Sequence, residues 1–155
     1  MIHDLHQGPL FAAMSEDQVQ CVLEQGSECI FQAGDVIFNE GDPALYFYVL
    51  LEGNIQITKR VGAQETTLAL HTLPGAFTGE IPLLTGTPYV ATALMIKAGK
   101  VLRYSAATFR RLLTLCPGML GVILNMLVTR IQNTEIITMQ QEKLFALGKL
   151  SAGLA

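Results

Sequence analysis

The sequence predicts a mainly β protein, a barrel or sandwich of short strands with flanking helices. Three observations carry this. Between Glu28 and Ser105, strand-like segments are broken by turn residues at the spacing of roughly 8–12 residues found in sandwiches and barrels. Ile55, Ile57 and then Lys59 alternate with Gln56, Thr58 and Arg60, the period of a strand with one buried face. On either side of this region, apolar residues recur at helical spacing.

The elements follow in order. Residues 9–26 read as helix, opened by Pro9, with a second cap-like start at Ser15-Glu16-Asp17 and Val19, Val22 and Leu23 at helical spacing before Gly26. The predicted strands are Cys29–Phe31, Asp35–Phe38, Leu45–Leu51, Asn54–Arg60, Thr66–Leu73, Ala91–Ile96 and Val101–Tyr104. Turns are assigned at Ala33-Gly34, Gly41-Asp42-Pro43, Glu52-Gly53-Asn54, Val61-Gly62, Pro74-Gly75 and Ala98-Gly99. Ala106–Cys116 returns to helical spacing through Phe109, Leu112 and Leu113, and Pro117-Gly118 breaks it. A long proline-free helix is expected from about Met119 to the end. Its first part is apolar on nearly every side (Met119, Leu120, Val122, Ile123, Leu124, Met126, Leu127, Val128, Ile131), and Ile137, Leu144, Leu147 and Leu154 continue a looser seam. So long a helix exceeds what a small domain covers alone, which predicts a parallel homodimer. The chain therefore divides into a barrel with its helices, 1–117, and a dimerisation helix, 118–155.

Composition narrows the function. Half of the 155 residues are hydrophobic, 15% are charged, and ten basic against thirteen acidic residues leave a net charge of −3. That is no footprint for nucleic acid, so direct DNA binding is not expected. No apolar run reaches the roughly 18–20 residues of a membrane span, and the N-terminus lacks a signal-peptide pattern. Cys21, Cys29 and Cys116 form no CxxC and read as reduced small residues of a cytoplasmic protein. His3, His6 and His71 neither accompany a nucleophile motif nor cluster as metal ligands, so neither catalytic residues nor a metal site are assigned and no enzyme is predicted.

The segment from Leu73 to Ala93 carries the chemistry. Gly79 lets backbone approach a ligand closely. Glu80, starting a short helical turn, can accept hydrogen bonds from a ribose-like hydroxyl. Backbone N–H groups of that turn, and of the loop entering the Ala91 strand, suit an anion, and Thr92 adds a hydroxyl donor. Alone, Gly79-Glu80 is equally a barrel corner with a capping glutamate.

The whole string Gly79-Glu80-Ile81-Pro82-Leu83-Leu84, with Thr87-Pro88 and Ala91-Thr92, resembles the phosphate-binding cassette of the cyclic-nucleotide-binding domain family, which includes catabolite-activator-type regulators and kinase regulatory subunits. Phe31 to Asp42 and Leu45 to Gly53 resemble that family's β-corner and next strand. The resemblance spans about Pro9 to Arg130 and implies a double-stranded β-helix (jelly-roll) barrel. It places the ligand against Gly79, Glu80, Ile81, Pro88, Tyr89, Ala91 and Thr92, with cyclic AMP or cyclic GMP as the ligand class. A bound base would face the long helix near Asn133 and Thr134, with Arg130 as a substitute cation.

One position departs from the family. The phosphate-pairing arginine follows the cassette proline, and here that residue is Tyr89, a neutral hydroxyl in place of a charged fork. Lys97, Lys100 and Arg103 lie past the strand and are expected to face solvent or a neighbouring sheet. Two readings follow: a barrel that binds a ligand weakly or binds a different one, or a barrel that has lost its ligand and serves as a dimerising relay. The effector domain of a transcription regulator whose DNA-binding part is absent is the remaining alternative. Finally, Glu142 to Ala155 resembles the start of a sensor histidine kinase dimerisation helix. That resemblance implies a phosphoacceptor histidine directly after Ala155 and downstream kinase domains as partners.

Overall fold

The computed structural model describes residues 5, 8, 10–12, 14–116 and 118–129. Arg130, Asn133, Thr134 and the kinase-like segment from 142 lie outside them. In chain order the elements are α1 (Glu16–Gln25), β1 (Ser27–Phe31), β2 (Val36–Phe38), β3 (Tyr46–Val61), β4 (Gln64–His71), β5 (Phe77–Thr78), α2 (Glu80–Thr85), β6 (Thr92–Ser105) and α3 (Ala106–Leu115), then α4 (Gly118–Thr129). The strands form one antiparallel sheet in the order β1-β6-β3-β4, with β2 also on β6 and β5 also on β3.

The first described helix starts at the later of its two predicted caps. Ser15 accepts from the Gln18 backbone N–H and the Gln18 side chain accepts from the Ser15 N–H, both at 3.2 Å. This reciprocal box satisfies two otherwise orphaned donors. Leu10–Ala12 forms a turn instead, with Leu10 and Phe11 buried.

The largest departure from the predicted elements is in the strands. Leu45–Leu51 and Asn54–Arg60 are one strand, β3, and Ala91–Ile96 and Val101–Tyr104 are one strand, β6. The two expected turns, at Gly53 and Ala98-Gly99, are facing bends in a continuous ribbon whose register shifts between Leu50 and Ile55. Parity shows why a shift is needed. Tyr48 and Leu50 point into the barrel core, and so do Ile55 and Ile57, so an even-numbered face must become odd-numbered. A bulge does this at the cost of one unpaired residue. Gly53 adopts φ 95°, and a Cβ there would stand 2.5 Å from the Lys97 carbonyl oxygen. A Cβ on Gly99 would clash with the Glu52 carbonyl. A second shift between Ile57 and Thr58 buries Thr58, whose hydroxyl donates to Glu65 at 3.0 Å.

Each face of β3 has its own core. Inside the barrel, Phe38, Tyr48, Leu50, Ile55, Ile57, Tyr89, Met95 and Val101 pack together. On the other face, Phe47 meets Phe77, Tyr104 and Phe109 of α3 with ring centroids 4.6–5.9 Å apart. The Tyr104 hydroxyl donates to the Val22 carbonyl at 2.7 Å, fixing α1 to the end of β6. Ser105 closes the strand and caps α3 through the Thr108 N–H.

One compact unit ends at Leu120 and a second runs from Gly121. Within the second, Leu124 and Val128 stand one turn apart on α4 and are 50% and 52% exposed. Among the described residues, no single helix is long and apolar enough to cross a membrane.

Candidate ligand-binding cassette

The seven described cassette residues form one continuous strand–helix–loop unit. Gly79 takes the left-handed conformation (φ 90°) and leads into α2 without a side-chain cap. A Cβ there would lie 3.0 Å from the Tyr46 carbonyl oxygen, so glycine is required both by conformation and by close approach. Glu80 is buried at the first position of α2, and Ile81 is half-buried. Gly86, also left-handed, ends the helix with its N–H on the Pro82 carbonyl at 2.8 Å. Pro88 is exposed and Ala91 is in the barrel core.

Tyr89 determines the character of the site. Its ring is buried and stacks on Phe38 with centroids 3.9 Å apart and planes 14° from parallel. Its hydroxyl donates to the Tyr46 carbonyl at 2.7 Å and accepts from the Tyr46 N–H at 3.1 Å. Its own backbone pairs with the Gly41–Asp42 corner: the Tyr89 N–H donates to Asp42, and the Gly41 N–H donates to Tyr89. Burial raises the phenol above its ordinary pKa, while the Tyr46 backbone hydrogen bond opposes that shift. Where the family places a ligand-facing cation, this chain thus has a neutral ring bound to the first residue of β3. The Thr92 hydroxyl, expected to face the ligand, accepts from the Glu40 N–H at 3.0 Å.

Sequence reasoning missed a second polar group. In the strand register, Ser27, Arg103, Tyr48 and Thr78 sit opposite one another across β1, β6, β3 and β5. Directly opposed residues share a face, and Tyr48 assigns this row to the barrel interior. Arg103 therefore does not face solvent or a neighbouring sheet as expected; its guanidinium lies 4.3 Å over the Tyr46 ring. Lys100, by contrast, pairs with Glu28 at 3.2 Å on the surface. The signal was parity: Val101 is apolar and Arg103, two positions on, must share its face.

Fold and cassette together define a regulatory ligand-domain barrel. Residues 28–115 match the family model for the cyclic nucleotide-binding domain, and the chain belongs to that family, with its jelly-roll fold. Over 104 residues it is 29% identical to a cAMP-dependent protein kinase regulatory subunit of Dictyostelium discoideum, covering 67% of this chain and 32% of that one. The crystal structure of the Thermus thermophilus catabolite activator protein matches with a TM-score of 0.77 and 25% identity, covering 83% of this chain and 61% of that one. The regulatory domain of Toxoplasma gondii PKA, co-crystallised with cAMP, shares the fold (TM-score 0.62, 24% identity, 72% and 42% coverage). The chain spans less than two thirds of the length of each of these relatives.

Proposed function

We propose that the chain is the sensory regulatory domain of a larger signalling protein, in which a barrel at residues 1–117 sets the packing of a dimeric helix at 118–155. The ligand is a small molecule with cyclic-nucleotide-like reach over Gly79, Glu80, Ile81, Pro88, Ala91 and Thr92, but not one held by a cation at position 89. The observation that carries this is the Tyr89 hydroxyl, which is committed to both backbone groups of Tyr46. A hydrogen bond to a charged group is worth roughly 1.5–3 kcal/mol, so the missing arginine costs about one to two decades of affinity for a cyclic phosphate. Calorimetric titration with cyclic AMP and cyclic GMP tests the reading. The wild type should show binding no tighter than about millimolar, and Tyr89→Arg should tighten it about tenfold or more. Micromolar binding by the wild type would overturn the assignment of Tyr89.

The helix part of the proposal rests on Leu124 and Val128, two exposed apolar residues one turn apart, and on the apolar seam that continues beyond the described residues. A parallel homodimer would cover them. The resemblance of residues 142–155 to a histidine kinase dimerisation helix supports a kinase as the output, and the family resemblance makes Arg130, Asn133 and Thr134, outside the described residues, the candidates to contact a bound base. Ligand control requires different affinity for the two helix arrangements. Light scattering of the purified chain checks the oligomer: a monomer at high concentration would refute the dimer.

A further inference from the structure

The barrel interior carries a half-buried cation, Arg103, in register with two hydroxyl-bearing residues, Tyr48 and Thr78. Arg103 is half-buried, and among the described residues no carboxylate lies within ion-pair distance of its guanidinium. Stacked over Tyr46 at 4.3 Å, that group keeps its N–H edge available while its face is covered. Directly opposite on β3 stands Tyr48, which is 5% exposed and packs in the barrel core. Its burial and the neighbouring phenols hold it protonated, while Arg103 opposes them. On the far side of Tyr48 lies Thr78, the residue before Gly79. Partial desolvation of a guanidinium costs free energy unless an acceptor or counter-charge offsets it. An oxyanion is the chemistry that would engage the three residues together, since it is accepting, negatively charged and able to bridge a forked donor and a hydroxyl.

We propose that Arg103, Tyr48 and Thr78 form an anion subsite on the inner barrel wall, which takes the phosphate or carboxylate of a small acidic ligand in place of a cassette arginine. The inference rests on reading the barrel as a ligand domain, and it moves the charge-bearing end of the ligand from the Tyr89 loop to the β3–β6 ribbon. The row is adjacent to the cassette through Thr78-Gly79, so one ligand could span both.

Inorganic phosphate and succinate serve as separate probes for the two oxyanion sources. The chain contains no tryptophan and four tyrosines, so tyrosine fluorescence, with Tyr48→Phe isolating the contribution of Tyr48, gives one readout, and the Arg103 side-chain N–H resonance gives a second. At least one probe should saturate below about 50 mM, with Arg103→Gln weakening it about tenfold or more and Tyr48→Phe weakening it less. Arg103→Lys should retain part of the affinity. Whichever probe saturates identifies the source. No saturation in the folded wild type, or saturation that Arg103→Gln leaves unchanged, overturns the subsite. If Arg103→Gln does not fold, Arg103→Lys and Tyr48→Phe decide by the same criterion: unchanged affinity in both overturns it. The cyclic-nucleotide titration of Tyr89→Arg reads the cassette independently, so failure at one site is distinguishable from failure at the other.

Discussion

Replacing Tyr89 with phenylalanine removes one oxygen atom and leaves the ring in place on Phe38. The oxygen makes two hydrogen bonds, at 2.7 and 3.1 Å, to the carbonyl and N–H of Tyr46. Both backbone groups are partly buried at the start of β3, so losing the phenol strands a donor and an acceptor together. A net hydrogen bond is worth about 1 kcal/mol, and a buried group left unsatisfied costs up to about 3 kcal/mol. A combined loss of about 2–3 kcal/mol follows, which in a chain of this size lowers the melting temperature by about 4–12 °C. Tyr48→Phe is the matched control. Among the described residues its hydroxyl holds no backbone pair like that of Tyr89, so its removal should shift melting by less than about 1 °C. Thermal unfolding followed by circular dichroism measures both. Equal shifts for the two variants, or no shift for Tyr89→Phe, would refute the claim that the Tyr89 hydroxyl is structurally committed.

Two further outcomes are expected. Gly53→Ala combines a left-handed φ of 95° with a clash against the Lys97 carbonyl, and should cost about 3 kcal/mol or more by urea unfolding. Gly62→Ala, left-handed but in open space, should cost only about 1 kcal/mol. Burial raises the phenols of Tyr48, Tyr89 and Tyr104 above their ordinary 10.0. The fold favours their protonated form, so this contribution is complete below pH 10 and is lost as the pH rises beyond it. A spectrophotometric titration should therefore show these three phenols ionising above the ordinary tyrosine range while the chain stays folded. Ionisation of these three phenols in the ordinary tyrosine range, before unfolding, would contradict the burial.

The alternation around Ile55 and Ile57 made the strands legible, and the cap-like Ser15 start and the spacing of Phe109 and Leu112 marked helices at short range. Gly53 and Gly99 were misread because a glycine has the same local signature in a hairpin turn and in a bulge. Which one forms depends on the partner strand some forty residues away. The same distance hid the two facts that set the site's chemistry. Tyr89 reads as an available hydroxyl until Tyr46 is brought beside it. Arg103 reads as a surface cation until its register with Tyr48 places it inside. Glu80 and the glycines gave the shape of the cradle, but not which donors its wall presents.

The β3–β6 ribbon also constrains how the molecule is made. Tyr46 pairs with Ser105, and Thr58 with Thr92, so no part of this ribbon can form until the chain has been synthesised through most of the cassette. During that interval the second half of β3 can pair with β4, which follows it directly, but the edge of β3 that β6 occupies in the finished fold stays open. A nascent chain of this protein therefore carries a strand with one open edge for dozens of residues of elongation, and that edge closes late, by long-range pairing.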